Sequence, residues 1–177
     1  MKNIVLVGFM GSGKSSIGHR LARKLGYQFV DTDYAIEEVT GLTVEQIFAK
    51  HGIKRFRGEE VLLVSKLADK EGVVIATGGG LVLNSQNVEK LQQNGIFICL
   101  QASPETICKR VKNKRTRPLL ARGNLKEKVI KLLQERKDAY DMADLTISTD
   151  HLEPDDIVKI IYKFLLERGV IHGNHSG

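Results

Sequence analysis

The octapeptide Gly8-Phe9-Met10-Gly11-Ser12-Gly13-Lys14-Ser15 directly follows the apolar run Ile4-Val5-Leu6-Val7, and no other stretch constrains the chain as strongly. It fits the pattern G-x-x-x-x-G-K-[ST]. Glycines at these positions let backbone N–H groups turn inward around phosphate oxygens, and the lysine reaches the outer phosphates. The serine that follows can ligate a divalent cation, and the helix N-terminus beyond adds partial positive charge. Ser16 continues the same turn. The mechanism requires a buried strand before the loop and an amphipathic helix after it. Both are present, since Ile17, Leu21 and Leu25 recur at i, i+4 and i+8. A glycine-rich turn without a ligand would need neither.

Beyond the loop, apolar runs alternate with helical stripes. Strands are expected at Tyr27 to Asp31, Val73 to Ala76, Ile96 to Leu100 and Leu145 to Ser148. Helices are expected near 34–40, 44–50, 57–70, 86–94 and 104–112, then from about 125 to Met142, and from Pro154 to Arg168. Alternating β and α over one domain length predicts an α/β fold, a parallel sheet with helices on both faces in a three-layer α/β/α arrangement. A chain of 177 residues is read as a single domain, with residues 113–124 irregular and 169–177 a frayed tail.

Composition narrows the partners. The formal net charge is +6, and residues 105–122 hold seven basic side chains against one acidic, which accounts for all of it. An excess confined to one short stretch suits a local polyanion or a solvated loop better than the broad basic face of a nucleic-acid binder. Interleaved aromatics for base stacking are also absent there. No apolar run approaches a membrane span, and the N-terminus lacks a signal peptide's layout, so a cytoplasmic protein without membrane contact is expected. Cys99 and Cys108 fit neither a disulfide framework nor a zinc site and read as reduced thiols in or near the core.

A second strand often ends such a site with a metal-holding Asp. Here the third strand ends Ala76-Thr77-Gly78, whereas the second runs into Asp31-Thr32-Asp33. Both carboxylates fall at the edge where open α/β sheets bind ligands. One could serve the metal and the other an acceptor; a helix cap is the plainer use of an Asp at that junction. Arg57 shares a helix face with Val61, Val64 and Ala68, with Glu60 one turn on. Arg136 falls in the stripe Leu125, Val129, Leu132, Leu133 and Tyr140. Guanidinium stays charged on an apolar face and needs an anion. A small anionic acceptor would satisfy both, as would structural ion pairs. Gly78-Gly79-Gly80 offers backbone close to a ligand, or simply a tight loop.

Taken together, these residues resemble shikimate kinases, from Ile4 to about Phe164. The resemblance rests on Gly11-Ser12-Gly13-Lys14-Ser15, Asp31-Thr32-Asp33, Phe56-Arg57 with Glu60, and Gly78-Gly79-Gly80. It continues with Arg117-Pro118-Leu119-Leu120 and with Arg136 and Tyr140. It implies a P-loop kinase fold of the nucleoside-monophosphate-kinase type, with a five-stranded parallel sheet in the order 2-3-1-4-5. It also implies transfer of the γ-phosphoryl group of Mg-ATP to the 3-hydroxyl of shikimate, a step of aromatic amino-acid biosynthesis, by a monomer. By the same resemblance, ATP would meet Gly11 to Ser16, Arg110, Arg117 and Pro154. Shikimate would meet Asp33, Arg57, Glu60, Gly78, Gly79, Gly80 and Arg136. Mg²⁺ would meet Ser15 and, through water, Asp31. Lys14, Asp33 and Arg117 would carry the chemistry, with residues 32–60 as the acceptor-binding region and 112–124 as a lid. One departure is Gly52-Ile53, where members often have Gly-Glu, and it bears on local packing. Nucleoside-monophosphate and gluconate kinases share the loop and sheet, but their acceptor motifs are not found. An ATP-dependent switch or a nucleic-acid-binding module is the alternative outside the kinases.

Overall fold

A computed structural model describes residues 1–112 and 123–172. Residues 113–122 of the expected lid, with Arg117, and the last five residues of the expected frayed tail lie outside the described residues.

Five strands, β1 (Asn3–Val7), β2 (Gln28–Asp31), β3 (Val73–Ala76), β4 (Gly95–Gln101) and β5 (Leu145–Ser148), form one parallel sheet in the order β2-β3-β1-β4-β5. Leu6 lies in register with Ala76 on one side and Ile98 on the other. The helices are α1 (Lys14–Leu25), α2 (Thr32–Thr40), α3 (Val44–Ala68), α4 (Ser85–Gln92), α5 (Pro104–Val111), α6 (Leu125–Glu135) and α7 (Pro154–Glu167).

The central strands read as unbroken apolar runs because both of their faces are covered. Successive side chains of a strand point to opposite faces. In β1, Ile4 and Leu6 accordingly join Ile17, Leu21, Ile157 and Ile161 of α1 and α7. Val5 and Val7 join Val64, Leu67 and Leu91 of α3 and α4 on the other face. Cys99 is buried in the second cluster, which pushes its thiol up to about 11, and Cys108 is half-buried; neither forms a disulfide. Val170 donates to Leu165 O, and with Ile171 it packs against the first cluster. Among the described residues, no helix is long and apolar enough to cross a membrane.

Two helices differ from the sequence expectation. Helix α3 fills the expected gap between 50 and 57 and continues through Gly52, which takes φ 77° and ψ 171°. Glycine tolerates that left-handed φ, so the chain kinks there and resumes as helix. Ile53, next to the kink, is half exposed, so the residue replacing the family's frequent Glu disturbs no core packing. Helix α6 ends at Glu135, not near Met142. Arg136 leaves helical geometry at φ −107° and ψ 11°, and residues 137–140 form a tighter 3₁₀ turn.

Parallel strands must begin at matched heights, and Asn3 sets that match. Its side chain donates to Lys70 O at 2.8 Å and accepts from the buried Val73 N–H at 3.0 Å. Asn3→Ala leaves Val73 N–H without that acceptor. It should cost about 1–3 kcal/mol of unfolding free energy, read from urea denaturation.

Candidate functional site

The C-terminal ends of the strands form the floor of a cleft of about 690 Å³. The chain leaves β1 to build β2 and β3 on one side, then crosses to β4 and β5 on the other. The loop after β1 therefore lies where strand order reverses, which is where open α/β sheets place ligands. Every expected site residue among those described lines this one cleft.

Gly8, Gly11 and Gly13 all have positive φ in the loop between β1 and α1. A Cβ at Gly8 would overlap the Leu100 carbonyl oxygen, so the loop also depends on close approach to β4. Lys14 is buried and donates to Gly8 O at 2.7 Å and Phe9 O at 3.0 Å, folding its ammonium back over the loop. Arg110 of α5 donates to Gly11 O and to Thr149 Oγ1, each at 3.1 Å, and so ties the loop to the end of β5. The buried Thr149 had no periodicity or charge to mark it. Only its place immediately after a strand could have.

The carboxylate pair divides its work. Asp31 Oδ1 accepts from the N–H groups of Asp33 and Tyr34 and caps α2, while Oδ2 accepts from Ser15 Oγ at 2.5 Å. Helix cap and companion to the loop serine are thus one side chain. Oxygen donors beside a phosphate loop suit Mg²⁺, which is commonly held by one or two carboxylates and substrate phosphates. Among the described residues, no group of three or more His, Cys, Asp or Glu that could hold a metal assembles, at this site or any other. A cation at Ser15 and Asp31 would draw its remaining ligands from nucleotide and water.

Beside the phosphate loop, the glycine triplet and three charged side chains interlock. A Cβ at Gly78 would strike Asp33 Oδ1, and one at Gly80 would strike the Arg57 guanidinium. At Gly79 it would lie 3.5 Å from Arg136 Nη1 and 3.4 Å from Met10 N of the loop. None of the three glycines has positive φ, so proximity and not backbone conformation explains them. Thr32 Oγ1 accepts from Gly78 N–H at 2.8 Å and joins α2 to the triplet. Arg136, 7 % exposed at the end of α6, donates to Gly79 O at 3.0 Å and sits 5.7 Å from the Phe9 ring. Phe48 and Phe56, with rings 5.2 Å apart, supply an apolar wall; Phe48 was not singled out from the sequence.

Arg57 donates to Glu60 Oε2 at 2.6 Å, the i,i+3 pair expected from the spacing. Glu60 is fully buried, and its Oε1 has no hydrogen-bond partner among the described residues. Burial raises its pKa to about 7, against the pull of Arg57; nearby Asp33 adds to the rise and Arg136 opposes it. The wall therefore offers two guanidinium groups and one carboxylate, Asp33, to a small polar anion in the cleft that the phosphate loop also lines.

The shikimate kinase family model matches residues 10–166. A shikimate kinase from Pelotomaculum thermopropionicum is 56% identical over 171 residues, covering 97% of this chain and 99% of that protein. One from Desulforudis audaxviator is 49% identical over the same length, covering 97% and 90%. The solved structure of a shikimate kinase from Acinetobacter baumannii in complex with shikimate superposes with TM-score 0.92 at 36% identity, covering 97% and 96%.

Glu60 gives the site a pH signature. The folded state holds the Glu60 proton more tightly than the unfolded chain does. The associated stability is complete below about 4.5 and lost as pH rises through about 7. Urea unfolding from pH 4.5 to 7.5 should show wild-type stability falling relative to Glu60→Gln, by on the order of 3 kcal/mol. Parallel curves for the two proteins would contradict a carboxyl group raised by burial.

Proposed function

The chain belongs to the shikimate kinase family, and from that premise we propose that it transfers the γ-phosphoryl group of ATP to the 3-hydroxyl of shikimate. The products are ADP and 3-phosphoshikimate, a step of aromatic amino-acid biosynthesis. The observation that carries this reading is the convergence of Asp33, Arg57 and Arg136 on the Gly78–Gly80 backbone, in the same cleft as the Lys14 loop.

Phosphoryl transfer depends on in-line positioning and charge neutralisation more than on covalent chemistry. In this reading, the N–H groups of Gly11 to Ser16 and the Lys14 ammonium hold the triphosphate. Arg110 and Pro154 border the base. Arg57 and Arg136 take the shikimate carboxylate, for which forked donors are suited, and Glu60 keeps Arg57 oriented. Asp33 aims the acceptor hydroxyl at the γ-phosphorus and receives its proton as the new P–O bond forms. The old bond breaks with its electron pair leaving on ADP. Ser15 and, through water, Asp31 would hold Mg²⁺, which would neutralise charge on the triphosphate. Arg117 would add a cation from the segment outside the described residues. One chain supplies every group in this reading, so a monomer suffices.

A coupled assay of ADP release tests the reading. Release should depend on shikimate and not on gluconate or nucleoside monophosphates; equal release with any of these would refute it. Asp33→Asn should keep ATP affinity, measured by fluorescence titration, and lose turnover by about 10²–10⁴-fold. Near-normal steady-state rates would remove Asp33 from the chemistry.

A further inference from the structure

We propose that Tyr140 is a positioning residue for the acceptor clamp, acting through the Gly79 carbonyl. The inference rests on the proposed activity and concerns the same wall of the cleft. The Tyr140 hydroxyl donates to Gly79 O at 3.3 Å, and Arg136 Nη1 donates to the same oxygen at 3.0 Å. A carbonyl oxygen has two lone pairs, and here both are engaged, so the direction of this one is set from two sides.

The geometry follows from the break in the chain. Helix α6 ends at Glu135, Arg136 forms its cap, and residues 137–140 continue as a 3₁₀ turn. Tyr140 packs its ring against the cluster containing Val7, Leu81 and Cys99, so the hydroxyl is delivered from a fixed body. A Cβ at Gly79 would lie 3.5 Å from Arg136 Nη1 and 3.4 Å from Met10 N of the phosphate loop, so the residue sits beside both. Its carbonyl thus sets the bearing of a guanidinium at the junction of both subsites. Arg136 spends Nη1 on that carbonyl, and its remaining N–H donors are aimed by the same contact. Without the phenol, Gly79 O keeps one donor, and the guanidinium turns more freely. The loss should fall on shikimate binding, because among the described residues the Tyr140 hydroxyl bonds to Gly79 O and not to a phosphate-loop atom.

Tyr140→Phe keeps the ring and removes the hydroxyl. Its KM for shikimate should rise roughly 2- to 10-fold, the net worth of one neutral hydrogen bond. Its KM for ATP should be unchanged, with kcat within about twofold. Combined with Arg136→Lys, the effects on the shikimate KM should be less than multiplicative, because both act through one carbonyl. If Tyr140→Phe loosens the fold, the ratio of the two KM values still reads the role, since general loosening raises both. Wild-type protein without shikimate-dependent ADP release overturns the underlying activity and this inference with it. Active wild type with an unchanged KM ratio in Tyr140→Phe overturns the inference alone.

Discussion

A Cβ at Gly78 or Gly80 would occupy space already held by the Asp33 carboxylate or the Arg57 guanidinium. The wall proposed to hold the acceptor depends on that missing volume. The backbone after β3 is the surface on which three charged side chains from three different elements come to rest. Asp33 arrives from α2, Arg57 from α3 and Arg136 from the end of α6. The triplet's own backbone is held in turn, with Gly78 N–H bonded to Thr32 and Gly79 O bonded to Arg136 and Tyr140. Charged groups brought this close repel or desolvate one another unless each has a fixed partner. The raised Glu60 pKa is where that cost shows, because its burial outweighs the single 2.6 Å contact to Arg57.

The sheet converts this wall into half of a reaction site. Because β1 and β3 are adjacent and in register, the loop after β1 and the triplet after β3 leave the sheet side by side. Thr77 reinforces the alignment by donating to Leu6 O from both its N–H and its hydroxyl. The Met10 amide and Gly79 are consequently near neighbours, and the phosphate and acceptor halves share one boundary. An absent acidic residue at the end of β3 belongs to the same arrangement. The carboxylate beside the phosphate loop comes instead from Asp31, at the end of β2, which accepts from Ser15.

Much of this was legible in the sequence for physical reasons. Glycines spaced for a phosphate loop, buried apolar runs and two arginines on apolar faces each have few alternative uses. The order of the strands was not readable from periodicity and came only through family resemblance. Sequence stripes carried α6 on to Met142, because Arg136 and Tyr140 keep helical spacing while the backbone has already tightened after Glu135. In α3, the expected gap was instead a single kink, since Gly52 alone absorbs the bend. For Asp31, cap and metal companion read as alternatives, yet one carboxylate oxygen caps α2 while the other accepts from Ser15 and stays beside the phosphate loop. Thr149 and Phe48 went unmarked because a lone hydroxyl after a strand and a lone aromatic on a helix carry no pattern.

The proposed acceptor site turns on Gly80 leaving room for the Arg57 guanidinium. Calorimetric titration of shikimate into Gly80→Ala, beside the wild type and with an ATP analogue as control, tests it most directly. Displacing the guanidinium should weaken shikimate binding at least about tenfold, or ~1.4 kcal/mol, while nucleotide affinity stays the same. Equal shikimate affinity in the two proteins would contradict the account.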